Sequence, residues 1–156
     1  MAKEPRQETE EGLLALLGPR LLPYLALADH DHPAIRLRLV FAALGSAVVD
    51  GDVEAIAMAC ELIHRDPMLP FGKIIKSNLA RALRKRHDRL SAADRRKVIG
   101  ATLRLLAAEH APRELEDYCK LVRKLPGSEY LEAAALIVPR NARSTHLLAV
   151  LREPLA

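Results

Sequence analysis

Aromatic side chains make up only 3% of this 156-residue chain: three Tyr, two Phe and no Trp. Sheets draw on aromatic and β-branched residues, so that scarcity argues against a β fold. Cysteine is as sparse. Cys60 and Cys119 are the only two and lie far apart in no C-x-x-C pair, which excludes a disulfide framework. Long apolar runs are missing too. In the middle of the chain the longest stretch without a charge is Leu39 to Val49, eleven residues between Arg38 and Asp50, short of the roughly 18 that a membrane span needs. The opening residues Lys3, Glu4, Arg6, Glu8, Glu10 and Glu11 follow no basic-then-apolar export pattern, so the expected compartment is the cytoplasm and no membrane partner is expected. Catalytic signatures are absent: there is no G-x-S-x-G, no H-E-x-x-H and no dinucleotide fingerprint, and Gly72-Lys73 lacks the upstream frame of a phosphate loop. The expectation is a non-enzymatic protein without catalytic residues, cofactor or metal.

What the chain does contain is leucine and alanine, 28 and 25 residues, about a third of the whole. Both are strong helix formers. From Pro33 to Asp50 the residues Leu37, Val40, Phe41, Leu44, Ala47 and Val48 recur at the i, i+3, i+4, i+7 spacing of one buried helical face. Ile35, Leu39 and Ala42 form a second apolar stripe, so this helix is expected to be covered on two sides. Asp29-His30-Asp31-His32-Pro33 breaks the chain and supplies a cap, Asp31 or His32, with Pro33 at a favoured first helical position. Asp50-Gly51-Asp52 ends that helix and caps the next, and Ser91 with Asp94 repeats the device. No segment alternates with period two. The reading is all-α: a flexible stretch over 1–8 and a single helical domain over 9–156, with six to eight helices and antiparallel hairpins at 33–64 and 72–109.

Helix starts fall near 33, 52, 71, 92 and 112, so each pair of helices makes a hairpin of about 40 residues, within the range of helical repeats. An offset of 43 superimposes Ile56 on Ile99, Leu62 on Leu105 and Ile63 on Leu106. In hairpin length and helix spacing over 33–125 the chain resembles the HEAT and armadillo-like α-solenoids. Asp50-Gly51-Asp52 matches the acidic turn of a HEAT hairpin once, while no Pro interrupts the 33–50 helix as that family's first helix usually has it. The resemblance implies a protein-binding module with a concave surface. An irregular helical bundle is the alternative architecture.

Charge is unevenly spread. Residues 73–104 carry 11 basic and 2 acidic side chains, while 1–31 carry 3 and 6 and 32–72 carry 3 and 5. On a helical wheel Lys73, Lys76, Arg81, Arg84 and Lys85 share a broad arc opposite Ile75, Leu79, Ala82 and Leu83; Arg96, Lys97 and Arg104 form a stripe on the following helix, and Arg89 lies at the tip. If the two helices pair as a hairpin, these nine residues form one exposed positive face. It would suit a protein partner, an acidic one included, or a nucleic-acid backbone contacted without reading sequence. Base stacking is not expected, because only Phe71 lies near the block.

Asp29, His30, Asp31 and His32 include metal-ligand types, but no complementary His or Cys pair accompanies them and capping is the simpler role. Cys60 has His64 one turn away, without a third group to orient a nucleophile. The loop Met68-Leu69-Pro70-Phe71-Gly72-Lys73 holds large apolar residues beside chain breakers and reads either as a docking element or as a lid on the core.

Overall fold

The computed structural model describes residues 7–153. Residues 1–6, most of the stretch expected to be flexible, and 154–156 lie outside the described residues. Nine α-helices and no strand occur among those described: α1 (Glu10–Leu17), α2 (Leu22–Leu27), α3 (Pro33–Val49), α4 (Val53–Arg65), α5 (Gly72–Lys85), α6 (Ala92–Leu106), α7 (Leu115–Val122), α8 (Leu131–Ala135) and α9 (Ala142–Arg152). The count exceeds the expected six to eight because α2 and α8 stand as separate short helices after single 3₁₀ turns.

The helix starts follow from local chemistry. Thr9, Asp52, Ser91 and Asn141 each accept a hydrogen bond from a first-turn amide, at 3.1, 2.9, 3.1 and 2.7 Å. His32 caps α3: its Nδ1 accepts from the Ala34 N–H at 3.2 Å, with Pro33 at the first helical position. In the same connector His30 Nδ1 accepts from the His32 N–H at 3.0 Å, so these two histidines are occupied in shaping the turn. Gly51 turns the chain with φ 86°, a conformation that costs glycine nothing.

Packing follows an alternating rule. From α3 onward, α3 packs on α5, α5 on α7 and α7 on α9, while α4 packs on α6; α3–α4 and α6–α7 contacts join the two rows. Helix α1 abuts α4, and α2 abuts α3. One continuous apolar cluster lies between the rows, including Leu37, Val40, Phe41 and Leu44 of α3, Ile56, Cys60 and Ile63 of α4, Leu79 and Leu83 of α5, Val98 and Leu106 of α6, and Cys119 and Val122 of α7.

Two expectations are corrected. The 72–109 segment is not a side-by-side hairpin: α5 lies between α3 and α7, α6 lies against α4 and α7, and α5 and α6 make little contact with each other. The six residues between them carry the chain from one row to the other. The second stripe of α3 is also uncovered, with Ile35 and Leu39 exposed and Ala42 open to solvent beside them. Leu105, expected in the core, is only partly buried and forms part of a cavity wall instead.

Candidate binding surface along helix 5

Because α5 and α6 do not pair, the nine basic residues do not share one face. Lys76 is 7% exposed. Its ammonium donates to Asp66 Oδ1 at 2.6 Å, so it is an internal strut and not part of a surface. Lys97 is half-buried and paired at 2.8 Å with Glu61, which also binds Arg65 at 2.8 Å. Those hydrogen bonds hold the Glu61 carboxyl below the usual carboxylate range, the Lys97 bond first, against an opposing push from burial. Arg104 donates to the His64 carbonyl at 3.0 Å, crossing from α6 to the end of α4. Arg81 pairs with Asp117 of α7 at 3.1 Å. Arg84 is half-buried, and Arg89 and Arg96 are exposed at the α5–α6 connection and on α6. Arg95, beside Arg96 in the first turn of α6, forks onto Glu129 at 2.7 Å. The like charges that crowd one another in sequence are thus separated in space, and Lys76, Arg81, Arg95 and Lys97 are matched by carboxylates from other segments, Asp66, Asp117, Glu129 and Glu61.

Three of the nine, Lys73, Arg81 and Lys85, do lie on a common face, the outer side of α5 between α3 and α7. A groove of about 530 Å³ between α3 and α5 is lined by Ala42, Gly45, Ser46, Asn78, Arg81 and Lys85. A smaller concavity of about 200 Å³ runs on through Lys73, Ile74, Asn78, Arg81 and Arg113. It opens into a cavity of about 910 Å³ at the amino end of α5, where Lys73, Ile74 and Arg113 meet Leu69, Phe71, Leu105 and Glu114. Shared residues make the three one track: Lys73, Ile74 and Arg113 join the second to the third, Asn78 and Arg81 the first to the second. The floor at α3 is shallow because Ala42, Gly45 and Ser46 are small. The rest of the lining is mixed, with Ile74 and Phe71 each 43% exposed and Leu39 equally open nearby.

Unpaired cations occur on both sides: Arg89, Arg96 and Arg104 toward α6 have no carboxylate partner among the described residues, but none of these concavities gathers them with exposed apolar side chains as the track does its own. Lys73, Lys85 and Arg113 have no carboxylate partner among the described residues, and neither has Arg38, whose guanidinium sits 5.4 Å from the Phe71 ring centroid. Arg38 and Arg113 escaped the sequence reading because they lie outside the 73–104 block; only the stacking of α3, α5 and α7 brings them to its edge. The loop entering α5 is strained. Asp66 (φ 52°) and Phe71 (φ 55°) are both left-handed, and for a bulky residue such as Phe that conformation costs on the order of 1–2 kcal/mol. The Glu8 N–H donates to the Met68 carbonyl at 2.7 Å, tying the loop to the chain's first described residues.

Other candidates resolve differently. Cys60 and Cys119 are buried, and burial is the main cause pushing both thiols up, Cys119 to about 12, the opposite of an activated thiolate. Among the described residues no group of three or more His, Cys, Asp or Glu side chains is placed to hold a metal ion, and no helix is long and apolar enough to cross a membrane. No protein-family model, curated protein or solved structure matches the chain.

Proposed function

We propose that the chain is a non-enzymatic interaction module that binds an acidic, extended segment of a protein partner in the track along α5. The observation that carries this reading is the track itself, which gathers Lys73, Lys85 and Arg113, none with a carboxylate partner among the described residues, with exposed Phe71 and Ile74 on its lining and Arg38 over the Phe71 ring. A surface of that composition complements a chain that alternates carboxylates with apolar side chains. The dimensions agree. Helix α5 has 14 residues, so the track is about 21 Å long, room for about six residues of extended peptide. The alternating packing of α3, α5 and α7 supports the helical-repeat reading, in which such a row presents its outer face to a partner.

Nucleic-acid backbone binding by the 73–104 block has weaker support. Lys76 and Lys97 are withdrawn into internal ion pairs, and the remaining cations are divided between the α5 and α6 sides. The test is retention of two labelled octapeptide pools on the immobilised protein, one randomised over Glu, Asp, Leu, Phe and Ala, the other with Lys and Arg in place of the acids, beside random duplex DNA. The acidic pool should be retained. Arg81→Glu with Lys85→Glu should release it, and Arg89→Glu with Arg96→Glu should not. Equal loss from both double variants, or retention of duplex alone, rejects the reading.

A further inference from the structure

The cavity at the amino end of α5 has features that an acidic groove-binding segment alone does not use. Helix α5 has no side-chain cap, and the N–H groups of Lys73 and Ile74 find no acceptor among the described residues. Uncapped amides at the positive end of a 14-residue helix, beside Lys73 and Arg113, favour an anionic group. Independently, Glu114 lines the same cavity at 6% exposure, and neither carboxylate oxygen has a hydrogen-bond partner among the described residues: Oε2 is enclosed, which leaves Oε1 to take a donor from the cavity. A buried acceptor in that state calls for a donor. Tyr118, fully buried and also without a partner for its hydroxyl, belongs to the same cluster: after burial itself, the nearby Glu114 and Asp66 carboxylates are what push its phenol up. Charge at the cavity is balanced slightly to the positive side, with Lys73, Lys76 and Arg113 against Asp66 and Glu114. Its walls are apolar at Leu69, Ile74 and Leu105.

We infer that this cavity holds the carboxyl-terminal residue of the bound peptide: its free carboxylate on the Lys73 and Ile74 amides with Lys73 and Arg113, its own backbone N–H on Glu114, and an apolar side chain against Leu69 and Leu105. A chain terminus presents an anion, a donor and an apolar side chain on one residue, and terminal carboxylates are captured elsewhere by backbone N–H groups. A free amino acid offers the same three groups. The track running on from the cavity past Asn78 and Arg81 to Lys85 favours a longer chain.

The inference rests on the peptide-groove reading, and the experiment separates the two. The acidic octapeptide pool is synthesised once with a free carboxyl terminus and once as the terminal amide, and each is passed over the full-length protein. The free-acid pool should be retained at least about tenfold more, a difference of roughly 1.4 kcal/mol, with apolar last residues enriched among the retained peptides. Glu114→Leu should leave the melting temperature unchanged or higher, since it removes an unpartnered buried carboxylate, while retention of the free-acid pool drops severalfold. Equal retention of acid and amide pools overturns the terminus inference and leaves the groove standing. Unchanged retention by a folded Glu114→Leu protein overturns the assignment of Glu114. Failure of both pools overturns the groove reading and the inference with it.

Discussion

Glu61 offers the sharpest test of whether the basic block is matched by neighbouring helices. Its carboxylate is 11% exposed and bridges Lys97 of α6 and Arg65 of α4, both at 2.8 Å. Replacing it by Gln keeps the shape and one acceptor oxygen but removes the charge. Breaking a fully buried pair costs about 3–5 kcal/mol. Here the Lys97 and Arg65 side chains are 35% and 60% exposed and recover hydration, so a loss of about 1–3 kcal/mol is expected. In a domain of this size that lowers the melting temperature by roughly 2–12 °C. The pH dependence identifies the cause. Glu61's folded pKa is depressed, so its contribution is complete above the unfolded carboxyl value, about 4.3, and fades as pH falls through the lower folded value. Urea unfolding of the parent and Glu61→Gln from pH 7 to pH 3 should show a stability gap that is full at pH 7 and shrinks below about pH 4. A gap of the same size at pH 3 would mean that Glu61 acts through packing, and the charge-matching argument would fail.

Core truncation should distinguish the two leucines that the sequence treats alike: Leu44→Ala, fully buried, should cost about 2–5 kcal/mol, and Leu105→Ala, partly exposed in the cavity wall, clearly less, both by denaturant titration. Gly51→Ala should destabilise by about 1 kcal/mol because its φ is 86°. Gly45→Ala, whose new methyl meets only Leu79 at 3.9 Å, should be neutral or stabilising by up to about 1 kcal/mol; thermal melts of the pair decide it. Both thiols should react with an aromatic disulfide reagent only at the rate of protein opening, so rapid labelling of native protein would contradict the burial of Cys60 and Cys119.

Much of the helical layout was legible because its signals are local. Asp52, Ser91 and Gly51 act through residues at most four or five positions away, and the Leu37–Val48 stripe of α3 follows helical period alone. The Ile35, Leu39, Ala42 stripe carries an equally clear period, yet period cannot say whether a neighbour arrives to cover it. A single positive face requires α5 and α6, adjacent in sequence, to lie side by side, whereas the chain changes rows between them. Pairings such as Arg81 with Asp117 and Lys97 with Glu61 span 36 residues, 117 from 81, and 97 from 61; they depend on the α5–α7 and α4–α6 contacts and have no sequence signature. Glu114 has no sequence signature for the same reason, since α7 must dock on α5 before the residue ahead of it borders the cavity.

Which surface receives a partner is measured directly by a backbone amide chemical-shift titration with the best-retained acidic peptide. The predicted shifts are concentrated at Ala42, Ser46, Ile74, Asn78 and Arg81, with the α6 side at Arg89 and Arg96 unmoved. Shifts confined to Arg89, Arg96 and the exposed residues of α6 would contradict binding along α5.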